Sequence, residues 1–201
     1  DDDCDGTIDE DFGDGGGMYD SDRNCGACGI DCTLIYAFPG AFGTCTVAGS
    51  SASCRLNCSP GFFNLNGIPG DGCEFSLDPD AVYVSGEDPT SADDGTCGLG
   101  PAPTGGGRHA CRTITFGISR ATTLGRSRLV VADALYAESV ALVAGVSLLG
   151  GYRADTWERH LTTTLTTIRA PTGLGHRRTI NAVGIAATTL VEGFVIDGAT
   201  A

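Results

Sequence analysis

The chain contains no lysine and no glutamine, one tryptophan and one methionine, and all 12 of its basic residues are arginine. Without lysine there is no Schiff-base nucleophile, no phosphate-loop lysine and no isopeptide crosslink. A long apolar run is missing as well. In the apolar half the longest uncharged stretch, 139–152, has 14 residues with three glycines among them, too short to span a bilayer. A net charge of −13 excludes the basic surface that neutralising nucleic-acid phosphates requires. His109, His160 and His176 stand without a nearby Ser or Cys arrangement, and no hydrolase motif is present.

Cysteine, glycine and acidic residues are abundant instead. The cysteines are Cys4, Cys25, Cys28, Cys32, Cys45, Cys54, Cys58, Cys73, Cys97 and Cys111, eight of them in the first 73 residues. An even number set among Gly, Asp, Asn and Ser reads as a disulfide framework formed in an oxidising compartment. Cys25, Cys28 and Cys32 also have the C-x2-C-x3-C spacing of a zinc site, but zinc leaves the other seven cysteines unexplained. Cys97 and Cys111, isolated from the rest, are expected to pair with each other. A mixed pairing would instead join them to the N-terminal module. These features predict a secreted protein of the cell exterior or cell surface.

The first ten residues, DDDCDGTIDE, place carboxylates at Asp1, Asp3 and Asp5, a turn at Gly6 and a main-chain carbonyl at Thr7. Hard oxygen ligands at this density suit calcium. Position 12 of a full EF-hand loop would be a carboxylate and is Phe12. The segment resembles the shortened calcium loops of extracellular bacterial proteins such as the Excalibur region, a resemblance that makes Glu10 the closing ligand with Asp9 as its competitor. It also resembles the Asp-Cys-Asp-Gly metal-binding motif of secreted myxobacteria-like surface proteins. The cysteine-rich stretch, with NCGACGIDC, CSPGFF and DGCEF, is similar to small disulfide modules of the same group. Its candidate core is Leu34, Tyr36, Phe38, Phe42, Phe62, Phe63 and Phe75, with staples substituting for burial. Asn57-Cys58-Ser59 fits the glycosylation pattern.

Composition changes near Asp80. Short β-rich runs follow at 129–132, 140–142, 146–149, 164–168, 179–183 and 190–196, with apolar centres such as Val131, Leu148 and Ile168 recurring every 17 to 20 positions. Short strands at that period suggest a solenoid, and a β-sandwich is the alternative. VYVS, CRTITFGISRA and YAESVALVAGVSLLGGY resemble the opening of a right-handed parallel β-helix of the pectate-lyase-like class. That resemblance implies a capping helix, for which Ile114, Ile118 and Ala121 supply an apolar face. The expected fold is thus mainly β, organised as an acidic metal loop and linker (1–22), a disulfide-rich module (23–79) and a short parallel β-helix with a capping helix and about three coils (80–201). Three coils leave a final rung with unpaired main-chain groups.

Lyase chemistry on such a scaffold needs aligned acids and a base. The available groups are Asp133, Glu138, Arg153, Asp155, Glu158, Arg159, Arg169, Glu192 and Asp197, with Trp157 between two acids in YRADTWERH. This segment reads as a loop with Trp157 packed on the wall, so no enzyme is expected. Residues 1–107 carry 19 acids and two arginines, whereas 108–201 carry ten arginines and six acids. That polarity, with the unpaired rung, predicts a structural protein that binds calcium and associates with itself head to tail into a filament. Surface glycans are the other candidate partner.

Overall fold

A computed structural model describes residues 19–172 and 178–198, and the chain divides into two compact units at Ser76/Leu77. The fold is mainly β and disulfide-rich.

The first unit holds β1 (Asp20–Ser21), β2 (Asn24–Cys25), α1 (Cys32–Ile35), β3 (Ala41–Ala48), β4 (Ser51–Cys58), β5 (Phe62–Phe63) and β6 (Phe75–Ser76). Its main feature is the antiparallel β3–β4 hairpin, paired from Ala41↔Cys58 to Ala48↔Ser51. The two-residue connection starts at Gly49, whose φ of 63° fits the tight hairpin turns that need a left-handed residue. Asp31 caps α1 by accepting from the Thr33 and Leu34 amides at 2.9 and 3.3 Å. The Thr33 hydroxyl bonded to it holds the Asp31 carboxyl below the usual range. The α1 backbone lies directly on β3: a Cβ at Gly43 would stand 1.9 Å from the Cys32 carbonyl oxygen.

Three disulfides, Cys25–Cys45, Cys32–Cys54 and Cys58–Cys73, staple these pieces, and Cys28 is disulfide-bonded as well. The apolar core read from the sequence is largely not one. Of its seven members only Phe75 is buried, while Leu34, Phe42 and Phe62 are exposed. With α1 only four residues long, Leu34 has no second layer to pack under, and the buried apolar groups beside Phe75 are the half-cystines Cys25, Cys32 and Cys73.

The second unit runs through β7 (Ala81–Val84), α2 (Ile114–Leu124), β8 (Arg128–Ala132), β9 (Ala134–Ala137), β10 (Val140–Ala141), β11 (Ser147–Tyr152), β12 (Thr166–Arg169), β13 (Ile180–Asn181), β14 (Val191–Glu192) and β15 (Phe194–Asp197). Every ladder is parallel: β7–β8–β11–β14, β9–β12–β15 and β10–β13. From β8 onward the chain visits the three ladders in rotation, and each visit adds a strand beside the previous one. Inward side chains stack in columns through the ladders, as in Val82–Leu129–Leu148–Val191 and Tyr136–Ile168–Ile196.

The circuits are less regular than the sequence suggests. Leu129 and Leu148 lie opposite each other 19 positions apart, but Leu148 next meets Val191, 43 positions on. Val131 and Leu148 share a sheet but not a column, and Ile168 lies in another sheet, so their even spacing mixes three columns. The expected run 190–196 is two strands, β14 and β15, broken at Gly193 with φ 78°. A Cβ on Gly193 would lie 2.4 Å from the Gly150 carbonyl oxygen of the preceding circuit.

Helix α2 buries Ile114, Gly117, Ile118 and Ala121, one face at helical spacing. A Cβ on Gly117 would stand 2.6 Å from Val84 and 2.9 Å from Leu129. The helix therefore sits against the inward side of β7 and β8 and closes the core at that end. Gly125, left-handed at φ 67°, ends it. No helix among the described residues is long and apolar enough to cross a membrane.

Candidate functional site

The proposed calcium ligands Asp1, Asp3, Asp5, Thr7, Asp9 and Glu10 lie outside the described residues, as do Cys4 and His176. Sulfur atoms of Cys25, Cys32 and Cys54 gather within 4.8 Å. All three are half-cystines and Cys28 is oxidised too, so none of the zinc-spaced cysteines is a thiolate free to bind metal. Cys97 and Cys111 are joined to each other. The Asn57 side-chain amide donates to the Thr44 hydroxyl at 2.8 Å and to the Arg55 carbonyl at 3.3 Å.

The charged groups considered for sugar chemistry do not converge. Arg153 holds Asp155 through two bonds of 2.9 and 2.6 Å, which keeps that carboxyl below its ordinary range and raises the guanidinium. Arg159 reaches Glu192 at 3.2 Å, Arg169 reaches Asp197 at 3.0 and 2.7 Å, and Asp133 accepts the Ala154 amide at 2.8 Å. Glu158 lies 3.4 Å from His160. Trp157 is only 6% exposed and meets Tyr83 edge-on at 5.1 Å, so its face is not offered to a sugar. It is the single non-glycine with positive φ among the described residues, at 58°. The hairpin-like bonds Trp157 N–H to Arg153 and Arg153 N–H to Glu158, at 2.9 and 3.0 Å, impose that conformation.

Several other acids and arginines of the second unit fasten its closed end. Asp93 accepts from the Arg112 and Thr113 amides at 2.8 and 3.1 Å. Glu138, from the neighbouring circuit, accepts from the Ile114 and Thr115 amides, both at 2.8 Å. Two carboxylates thus serve the N-terminus of α2, where orphan amides and the helix dipole favour negative charge. Arg108, Arg112, Arg120 and Arg126 donate to main-chain carbonyls of Thr104, Ser91, Cys97 and Ala81, while Arg128 pairs with Asp78 at 2.7 Å. Within the second unit most of these arginines are therefore engaged by peptide carbonyls of the 81–105 segment, and Arg128 by Asp78 and Asp80. The outer edge of β7 is occupied too: Tyr83 donates to Gly98 at 3.1 Å and its carbonyl accepts from Cys111 at 2.9 Å.

Asp94 adds a pH-sensitive fastening. It accepts from the Thr96 hydroxyl and amide at 2.7 and 2.8 Å and faces His109 at 3.1 Å, and these contacts lower its pKa to about 2, with the Thr96 hydroxyl the largest cause. A depressed carboxylate contributes stability that is present above its ordinary pKa and lost as pH falls toward the folded value. Melting temperature followed through that acid range should decline less steeply in Asp94→Asn than in the native chain. Parallel declines would show that Asp94 carries none of the slope.

The far end of the second unit is different. Strands β13, β14 and β15 each pair on one side only, so among the described residues all three ladders stop together. Along one inward column exposure goes from 3% at Tyr136 and 0% at Ile168 to 46% at Ile196. The same side-chain position is sealed when a circuit lies on both sides and half open when one is missing. This end combines vacant strand edges with uncovered core, the combination that templates pairing with another strand.

No family model, curated protein or solved structure matches the chain. Its role is read from these contacts alone. The sequence reading has Glu138 among groups available for acid chemistry and does not connect it or Asp93 with the helix start they serve. Thr113 is the helix N-cap, and the carboxylates that serve this helix start lie 20 and 24 positions away from the amides they bind.

Proposed function

We propose that the chain is an extracellular structural protein: a disulfide-stapled module joined to a capped right-handed parallel β-helix that assembles through its uncovered end. The observation that carries this reading is the contrast between the two ends of the second unit. At one end α2, the Cys97–Cys111 disulfide and the arginines close the core and occupy the β7 edge at Tyr83; at the other, among the described residues, strand edges and part of the core are left open. Further support comes from Arg153, Asp155, Arg159, Glu192, Arg169, Asp197 and Trp157, which among the described residues are engaged in structural contacts. Multiple disulfides suit an oxidising compartment outside the cytosol.

On this reading the acidic loop binds calcium through Asp1, Asp3, Asp5, the Thr7 carbonyl and Glu10, with Asp9 as the alternative to Glu10. Sedimentation velocity and thermal melting of the purified chain, with calcium and with chelator, test both parts. Concentration-dependent association is expected in either condition, and a lower melting temperature is expected in chelator. A monomer at all concentrations contradicts assembly. An unshifted melt contradicts a structural calcium site.

A further inference from the structure

Two disulfides of the first unit lie against each other. Strands β3 and β4 pair with Cys45 directly opposite Cys54, and residues opposite each other in an antiparallel ladder project to one side of the sheet. Cys45 is bonded to Cys25 in β2, and Cys54 to Cys32 at the start of α1. The sulfur atoms of Cys25, Cys32 and Cys54 consequently lie within 4.8 Å of one another, with Cys45 bonded to the first of them. Four cysteines from β2, α1 and the hairpin thus share one place, and Cys25 and Cys32 are buried there.

We infer that these four cysteines form a tetrathiolate zinc site when both disulfides are open. A dithiol reductant opens each disulfide, giving two cysteine thiols and its own cyclic disulfide. Binding then exchanges four thiol protons for one Zn2+. Tetrahedral geometry at the usual zinc–sulfur distance sets the sulfurs about 3.8 Å apart, between the separation of bonded sulfurs and the 4.8 Å limit of the cluster.

The main-chain anchors of the site are not sulfur bonds. The Cys25 amide donates to the Ile30 carbonyl at 2.9 Å, the Cys32 amide to the Asp22 carbonyl at 2.8 Å and the Cys45 amide to the Asp22 carboxylate at 2.7 Å. A metal adds to them a tie between the same segments that the two staples join, and its binding free energy becomes folding free energy. The ligand set differs from that suggested by the C-x2-C-x3-C spacing, since two hairpin residues take the place of Cys28. Cys58 stays apart, because it lies four residues beyond Cys54, about 13 Å along β4. The site depends on neither the open end of the second unit nor the acidic loop. A chain that is reduced when made and oxidised afterwards passes through it with Cys25 beside Cys45 and Cys32 beside Cys54, the pairs that the disulfides join.

Cobalt(II) and zinc titrations of the full chain test the site. Reduction is by a phosphine, since a dithiol would itself take the metal, and excess calcium occupies hard oxygen ligands while leaving thiolates alone. One Co2+ per reduced chain is expected, with the visible bands and thiolate charge-transfer absorption of a tetrahedral sulfur site, displaced by one Zn2+. The oxidised chain should show no such absorption, and Zn2+ should restore dispersed first-unit NMR signals to the reduced one. Cys54→Ser should weaken binding by about a hundredfold or more, beyond the cost of losing a group that merely supports a ligand. Cys54→His, which ligates metal but forms no disulfide, should keep one Co2+ with a shifted spectrum. Cys28→Ser and Cys58→Ser should bind as tightly as the native chain. Absence of the thiolate band from the reduced chain, or its presence in the oxidised chain, would overturn the inference. So would equal losses in all the serine variants, a loss in Cys28→Ser with Cys54→Ser unaffected, or binding by Cys54→His no tighter than by Cys54→Ser.

Discussion

Reduction of the chain under otherwise native conditions should unfold the described part of the first unit, residues 19–76, and leave the second unit folded. The disulfides Cys25–Cys45, Cys32–Cys54 and Cys58–Cys73 close loops of 20, 22 and 15 residues by sequence separation. Each contributes about 2–4 kcal/mol by restricting the unfolded chain. Their sum is comparable with the whole stability of a small domain, about 5–15 kcal/mol, and the apolar core beneath them amounts to Phe75 and the half-cystines themselves. The second unit has one disulfide, Cys97–Cys111, beside a continuous core that includes Leu129, Leu148 and Ile168. Two-dimensional NMR before and after a dithiol reductant separates the outcomes. Collapse of the first-unit signals with survival of the second is expected. Persistence of dispersed first-unit signals would show that hydrogen bonds such as Cys45 N–H to Asp22, 2.7 Å, are sufficient without the staples.

Truncating one inward column at successive circuits should give costs that fall sharply at the last one. Ile168→Ala removes a side chain with no exposed surface, and a core truncation of this kind costs about 2–5 kcal/mol. Ile196→Ala removes the residue that stacks on it in register, but that side chain is 46% exposed. Its transfer and cavity terms shrink together, so a cost below about 1.5 kcal/mol is expected at dilutions where copies do not associate. Urea midpoints with an unchanged m-value give both numbers. Equal costs would mean that Ile196 is as well covered as Ile168.

Much of the second unit was legible because its cause is local. Runs such as 129–132 become strands because alternating apolar residues enter a common core, and Ile114, Ile118 and Ala121 lie on one helix face by spacing alone. What stayed illegible depends on distance along the chain. β9 (Ala134–Ala137) was missed because Asp133 reads as a turn and only Tyr136 in this strand is buried. The 43-position circuit arises from segments inserted between strands, including the loop that lays Trp157 over Tyr83, and no fixed period reveals them. In the first unit the sequence pattern misleads: Leu34, Phe42 and Phe62 look like a core, but short elements tied by disulfides leave these side chains without a facing layer.

Charge changed its meaning most. As a sequence the chain is an acidic half and an arginine-rich half, which suggests attraction between copies. In the fold, Arg128 lies on Asp78 while Arg108, Arg112, Arg120 and Arg126 bind carbonyls of the 81–105 segment. The guanidinium fork suits this task because it offers several donors to peptide oxygens while remaining charged. Assembly is therefore better sought in strand edges and uncovered apolar groups than in long-range charge.

Hydrogen–deuterium exchange of residues 191–198, measured in dilute and in concentrated oxidised protein, tests the central claim most directly. The amides of β15 that face away from β12 should exchange fast when dilute and become protected on concentration, while β12, paired on both sides, stays protected throughout. Fast exchange of those amides at every concentration would mean that the open end recruits no second copy, and it would contradict the account.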